Sequence, residues 1–199
     1  MYKLQMKFQK IVCFIALASG ALVFIYSLGL MTDLYDSLYF MMPEVSEPEL
    51  DKVAGARIYY DMQDFNKALT KAGIILILLA LFILIMNSHV RRRYYIGNYI
   101  AIGAFCVAGI GSGIWTLQNL ALYKEQYLTT VDFETLKMRA EIMESYYTES
   151  TFWFDIGKFV YAIVFIAIAL LICNIIWKIK VTNEEKKLIS QGKGAVSNG

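Results

Sequence analysis

Charged residues, histidine, cysteine and proline are all scarce in this chain. Only 18% of its 199 residues are charged, whereas 58% are hydrophobic. Soluble domains carry about 25% charged residues, so this balance lies outside their usual range. The composition therefore predicts a membrane protein, and we expect no nucleic-acid partner.

The few cysteines and the single histidine exclude several kinds of site. Cys13, Cys106 and Cys173 all fall in hydrophobic stretches, so no disulfide can hold the segments outside the membrane. This excludes tetraspanin-like and claudin-like outer domains. His89 is the only histidine, so a haem held by paired histidines is excluded and a zinc site would lack partners. The sequence offers no candidate catalytic, cofactor-binding or metal-binding residue, and we expect no enzyme activity.

Four uncharged stretches are long enough to cross a bilayer as helices, which takes about 17–25 residues. They lie at about residues 11–31, 72–88, 97–119 and 159–177. Lysine and arginine cluster before the first span, between the second and third, and after the fourth. Because basic residues are retained on the cytoplasmic side, we predict a multi-pass protein of a bacterial plasma membrane with both termini cytoplasmic. Asn87, Asn98 and Asn174, near span ends, are interpreted as interface contacts or helix caps.

The chain reads as one membrane hairpin written twice. Residues of the first span recur 89 positions later, and residues of the second recur 87 positions later. The matched positions include Gly20 with Gly109, Tyr26 with Trp115, Phe65 with Phe152, Lys71 with Lys158, Ala80 with Ala167 and Asn87 with Asn174. Self-similarity at a fixed offset indicates two copies of one unit. We predict a first hairpin at 1–93, a second at 94–180, and a partly disordered cytoplasmic tail at 181–199.

The segments between paired spans, 32–71 and 120–158, read as helical extensions of the spans. Apolar residues recur there at three- and four-residue steps that run into the returning span, which is typical of a helix. Pro43 ends the first outgoing helix, and the second turn falls near 129–132. We therefore predict an all-α membrane protein with two tandem hairpins, whose four helices extend outward into an extracytoplasmic four-helix bundle.

Small residues recur four apart in spans one and three, most clearly around Gly20, Gly109 and Gly113. Such spacing lets helix backbones approach closely where lipid offers no hydrophobic drive for association. We predict that these glycines form a helix-packing interface, with spans one and three in central contact and spans two and four peripheral. The alternative is that the small faces bind the helices of a partner.

Aromatic residues concentrate in the predicted outer segments. The adjacent tyrosines Tyr59 and Tyr60, and likewise Tyr146 and Tyr147, cannot both face one helix core, because neighbouring side chains point about 100° apart. These four tyrosines form a candidate partner surface. Packing of the outer bundle is the alternative use of the same side chains.

These features favour a non-enzymatic membrane protein that serves as an accessory or scaffolding subunit of a larger complex, such as a transporter. Its expected partners are membrane lipids and either another membrane protein or a second copy of itself. The alternative is a small oligomeric channel or facilitator formed by the duplicated hairpin. A channel needs a continuous polar face, and only scattered serine, threonine and asparagine residues are visible in the spans.

Overall fold

The computed structural model describes residues 2–32, 55–88, 96–144 and 147–197. Over these ranges the chain forms helices and no strand. The helices are α1 (Tyr2–Leu30), α2 (Ala56–Ser88), α3 (Ile96–Thr130), α4 (Phe133–Met143) and α5 (Phe152–Ser197). By length and composition α1, α2, α3 and α5 could each cross a membrane, which agrees with a multi-pass membrane protein.

The four long helices pack side by side in the cyclic order α1, α2, α3, α5. Helix α1 packs along α2 and α5, and α3 packs along the same two helices, so α1 and α3 lie diagonally opposite. The predicted central contact between spans one and three is therefore wrong. The backbones of α1 and α3, on opposite corners of the ring, are too far apart to touch. Their small residues instead allow close approach to the neighbouring helices α2 and α5.

Large apolar side chains fill the interior of the bundle along its length. Leu30 on α1, Ile83 on α2, Phe105 on α3 and Leu171 on α5 are each at most 1% exposed. The opposite faces of the same helices are also apolar, as Val107 shows with 74% exposure. A helix that is apolar all round suits a lipid environment.

Polar residues mark the two ends of the bundle. One end, which we call the amide end, carries buried asparagine and glutamine side chains on all four long helices. The other, which we call the hairpin end, contains the α3–α4 turn and the first residues of α5. Because α3 alone has 35 residues, it is about 52 Å long and exceeds the hydrocarbon thickness of a bilayer, about 30 Å, by roughly 20 Å.

The turn at the hairpin end coincides with the one predicted near 129–132. Helix α3 ends at Thr130, and the carboxylate of Asp132 accepts a hydrogen bond from the backbone N–H of Thr135, 3.1 Å away. This contact caps α4. The returning segment is not one helix, however, because Glu144 adopts a left-handed conformation with φ of 49° and residues 147–151 are not helical.

Two further predictions fall at the margins of the described structure. Pro43 and the tip of the first predicted outer segment lie outside the described residues, as does His89. Helix α5 continues through the predicted tail as far as Ser197. The tail contains no proline, so each of its backbone N–H groups can donate within the helix.

Candidate functional site

Five amide side chains meet at the amide end, and we call them the amide cluster. They are Gln5 and Gln9 of α1, Asn87 of α2, Asn98 of α3 and Asn174 of α5, none more than 3% exposed. Every long helix contributes at least one member. Because buried amides are costly unless hydrogen bonded, the cluster joins the ends of four helices through paired polar groups.

Asn87 is the centre of this cluster. Its side-chain oxygen accepts hydrogen bonds from Nε2 of Gln9 and, at 3.0 Å, from Nδ2 of Asn98. Its own Nδ2 donates to the Asn98 oxygen at 3.1 Å and to the Ile83 carbonyl at 2.9 Å, and Sγ of Cys13 lies 3.6 Å away. Asn87 and Asn98 thus form a reciprocal amide pair that links α2 to α3.

Gln5 extends the cluster to α5. Its Nε2 donates to Oε1 of Gln9 at 3.0 Å and to Oδ1 of Asn174 at 3.1 Å. Lys178, one turn beyond Asn174, is only 3% exposed, and its ammonium lies 5.1 Å from the centre of the Tyr99 ring. A cation over an aromatic ring is an attractive arrangement, so a buried positive charge borders the amides.

The chemistry available to the amide cluster is hydrogen bonding alone. Amide side chains donate and accept hydrogen bonds but carry no titratable proton at physiological pH, so the cluster cannot act as an acid or base. A cavity of about 250 Å³ lies beside it, lined by Lys10, Cys13, Phe14, Leu84 and Asn87. Among the described residues no group of three His, Cys, Asp or Glu side chains could hold a metal ion.

The sequence suggested that these asparagines contact the membrane interface or cap helices. In the structure they instead form hydrogen bonds between helices. Asn87, Asn98 and Asn174 each bond to a side chain of another long helix. The sequence interpretation also missed Gln5 and Gln9. Their signal was present: they lie four apart on one helix face, in line with buried Cys13 and Ala16.

The predicted packing glycines each face a neighbouring helix. A Cβ atom on Gly20 would lie 3.0 Å from the backbone nitrogen of Ile77 on α2. One on Gly109 would lie 2.8 Å from Cδ1 of Ile168, and one on Gly113 would lie 2.7 Å from an aromatic carbon, both on α5. These glycines therefore lie at close contacts of α1 with α2 and of α3 with α5.

The candidate tyrosine surface is partly used within the chain. Tyr59 and Tyr60 are half-buried on α2, and their rings meet edge to face with centroids 5.4 Å apart. The Tyr147 hydroxyl donates to a carboxylate oxygen of Glu149 at 2.9 Å. Burial, followed by this hydrogen bond to Glu149, raises the pKa of Tyr147 above its ordinary value. Tyr146 lies outside the described residues.

A charged group ties α3 to the start of α5 at the hairpin end. The Lys124 ammonium donates to both carboxylate oxygens of Asp155, at 2.7 and 2.9 Å. The Thr151 hydroxyl donates to the same carboxylate at 3.0 Å, and the Lys158 ammonium lies 3.5 Å from it. With Lys124 30% and Asp155 39% exposed, water screens this ion pair and weakens it.

Both polar groups hold helices together at opposite ends of an apolar bundle. No known protein family, curated protein or solved structure matches this chain.

Proposed function

We propose that this protein is a non-enzymatic accessory or scaffolding subunit of a larger membrane complex, such as a transporter. The closed interior of the bundle carries the proposal. Large side chains such as Phe105 and Tyr161 are completely buried between the helices, and the amides at one end hydrogen bond to one another. Such an interior fixes the positions of four helices, and most of the buried side chains described along it are apolar.

A rigid bundle of this kind offers its exterior as the place of interaction. Buried amides in a low-dielectric environment hold one arrangement strongly, because any rotation of a helix would leave polar groups unpaired. The exterior is apolar on all four long helices, so it faces lipid or the helices of another membrane protein. This supports a subunit that presents fixed surfaces rather than one that moves a solute through itself.

We further propose that the chain is a duplicated hairpin, and the contacts of its glycines support this. Gly20 approaches α2 at Ile77, and Gly109 approaches α5 at Val164. The offset of 89 residues pairs Gly20 with Gly109, and the offset of 87 pairs Ile77 with Val164. A glycine of the first helix thus approaches counterpart positions of the second helix in each hairpin, the backbone of Ile77 in one and the side chain of Val164 in the other.

Contacts between the two hairpins are also related by the offsets. The Phe65 ring packs on Trp115 with centroids 5.0 Å apart, and the Tyr26 ring packs on Trp153 at 6.5 Å. Tyr26 and Trp115 are counterparts, and Trp153 adjoins Phe152, the counterpart of Phe65. The pairing supports an approximate two-fold relation between the hairpins about an axis along the bundle.

The amide cluster follows the same relation. Asn87 and Asn174 are counterparts at the 87-residue offset, and the 89-residue offset also pairs Gln9 with Asn98. Four of the five buried amides thus occupy two duplicated positions. A duplicated hairpin accounts for polar groups from all four helices meeting at one level.

We propose that the amide end faces the cytoplasm of a bacterial cell and that the hairpin end forms the extracytoplasmic helical bundle. Exposed lysines surround the amide end, including Lys3, Lys7 and Lys10 of α1 and Lys180 of α5. Basic residues beside membrane spans are retained on the cytoplasmic side. The proposed orientation therefore places both termini inside.

An open surface of the proposed spans lies on α3. Gly103 and Gly111 are exposed, and a Cβ atom on either would meet no atom within 4 Å. Val107 lies between them on the same face and is 74% exposed. Glycines at such spacing would let another helix approach this face closely, so we use them to test the subunit proposal.

The test is purification of tagged protein from its native membrane in a mild detergent, with mass spectrometry of its partners and of the intact complex. We expect stoichiometric recovery of an unrelated membrane protein, and we expect Gly111→Leu to reduce it. Ala18→Leu, at an exposed small residue of α1, is the matched control. Thermal melting of both variants excludes a folding defect.

Recovery of this chain alone, at one fixed mass, would contradict the subunit proposal. The alternative function, a small oligomeric channel or facilitator, would then be tested by solute flux in liposomes. A pore in that case would lie between copies, because the interior of one bundle is filled.

A further inference from the structure

A groove at the hairpin end lies between α3 and the start of α5. Its volume is about 360 Å³. Leu117, Leu120 and Phe154 form an apolar floor, and Leu120 and Phe154 are only 3% and 4% exposed. Ala121 and Leu128 line it from the exposed side of α3. The groove is therefore an apolar cleft on the outer surface of the bundle.

Four charged residues line the same groove. Lys124 and Asp155 form the ion pair that ties α3 to α5, and they neutralise one another. Lys158 lies 3.5 Å from Asp155 but is 71% exposed, so its ammonium remains accessible. Glu125 is exposed on the opposite wall. The groove thus presents one accessible positive charge and one accessible negative charge, with a net charge of zero.

If the hydrocarbon region begins near Ile96, where α3 begins, the groove lies at the opposite membrane boundary. Leu117 lies about 30 Å along the helix axis from Ile96, which is close to the hydrocarbon thickness of a bilayer. The apolar floor then begins where the hydrocarbon ends, and the charged residues lie about one to two turns further, at the level of lipid head groups. The order of apolar and charged residues along the groove is that of a phospholipid.

We propose that this groove binds one zwitterionic phospholipid of the leaflet at the hairpin end. The upper part of an acyl chain packs on Leu117 and Ala121, the phosphate pairs with Lys158, and the head-group ammonium pairs with Glu125. The charge of the groove decides the class of lipid. The net charge of the groove is zero, so an anionic lipid would gain little electrostatic attraction. A zwitterionic lipid instead offers a phosphate to the accessible lysine and an ammonium to the accessible glutamate.

The first test measures lipid retention by native mass spectrometry of the full chain, extracted from bilayers of phosphatidylethanolamine and phosphatidylglycerol with matched acyl chains. We expect one phosphatidylethanolamine per chain to be retained. Lys158→Ala removes one charge-assisted contact and is expected to lower retention about fivefold. Lys71→Ala is the matched control, because this exposed lysine of α2 is the repeat counterpart of Lys158 but does not line the groove.

A second pair of variants tests the apolar part of the groove. Ala121→Trp fills the groove from its exposed side and is expected to abolish retention. Leu122→Trp changes the neighbouring residue, which is 59% exposed and does not line the groove, and is expected to have no effect. Equal thermal melting of the two variants shows that neither has lost its fold.

Charge reversal tests the choice of lipid. Glu125→Lys changes the net charge of the groove from zero to +2 and is expected to switch retention from phosphatidylethanolamine to phosphatidylglycerol. The proposal is overturned if the unaltered protein retains no lipid or prefers phosphatidylglycerol. It is also overturned if Ala121→Trp and Leu122→Trp retain lipid equally.

Discussion

Replacing Asn87 by leucine should weaken the bundle more than any other single amide substitution. Leucine has a similar volume but neither donates nor accepts hydrogen bonds. The change removes the bonds of Asn87 to Gln9 and Asn98 and its contact with the Cys13 sulfur. It also removes the hydrogen bonds that Asn87 makes to side-chain atoms of Gln9 and Asn98, and water cannot replace them because each of these residues is only 1% exposed.

The expected loss in free energy of unfolding follows from these contacts. Interhelical hydrogen bonds in membrane proteins average about 0.6 kcal/mol, so the bonds of Asn87 supply about 2 kcal/mol. An orphaned buried polar group adds a cost of about 1–3 kcal/mol. We therefore expect a loss of about 3–5 kcal/mol for Asn87→Leu. Asn174→Leu breaks one bond to Gln5, whose Nε2 keeps its bond to Gln9, so it should cost about 1 kcal/mol.

The assay is reversible unfolding in mixed micelles with increasing denaturing detergent, followed by helical circular dichroism. Asn119→Leu is the matched control, because the Asn119 side chain donates only within its own helix, to the Trp115 carbonyl at 2.7 Å. Its free energy of unfolding should change little.

The rank order decides the outcome. Equal losses for Asn87→Leu and Asn174→Leu, or a loss for Asn87→Leu no larger than for Asn119→Leu, would refute the central role of Asn87. The double change of Asn87 and Asn98 to leucine should cost less than the two single changes together, because it removes both sides of the reciprocal pair.

Three further substitutions or titrations test other parts of the fold. Gly109→Leu forces a side chain into α5 and should cost at least about 1–3 kcal/mol in the same unfolding assay, whereas Gly111→Leu, which meets open space, should cost nothing. Gly55→Ala should lower the melting temperature, because Gly55 has φ of 75° and its Cβ would overlap Val131. Hydrogen bonds from the Thr135 hydroxyl and backbone hold the pKa of Asp132 below its usual value. NMR of the carboxyl group should therefore show a low pKa for Asp132. The stability that this cap adds should be fully present above the pKa of Asp132 in the unfolded chain, and it should be lost as pH falls through the lower pKa in the folded protein.

The helical spans were predictable from the sequence because a bilayer allows few alternatives. A long uncharged stretch in lipid must satisfy its own backbone hydrogen bonds, so it forms a helix. The turn after Thr130 was predictable for a different reason, since the apolar periodicity of α3 stops there. Asp132 then provides the capping carboxylate for α4.

The neighbours of each helix were not predictable from the same pattern. Gly20 and Gly109 signal that a helix can be approached closely, but their spacing does not state which helix approaches. In the structure the partners are α2 and α5, whose bulky residues fill the space that the glycines leave open. The shapes of both contacting helix surfaces decide which helices pack together. The glycine pattern of one helix describes only one of these two surfaces.

If the two hairpins are copies of one unit, as proposed, the amide cluster marks where they differ. At equivalent positions, Gln9 bonds to Asn87 within the first hairpin, while Asn98 bonds to Asn87 across the two hairpins. Full symmetry would require Asn174 to meet Gln9 in the same way, but Asn174 bonds to Gln5, one turn further along α1. Asn174 thus meets α1 one turn away from the position that symmetry predicts. Gln5 supplies the hydrogen bond there that Gln9 would otherwise make. A long α1 that begins at Tyr2 makes this possible, and the four-helix ring closes around one satisfied polar layer despite its unequal halves.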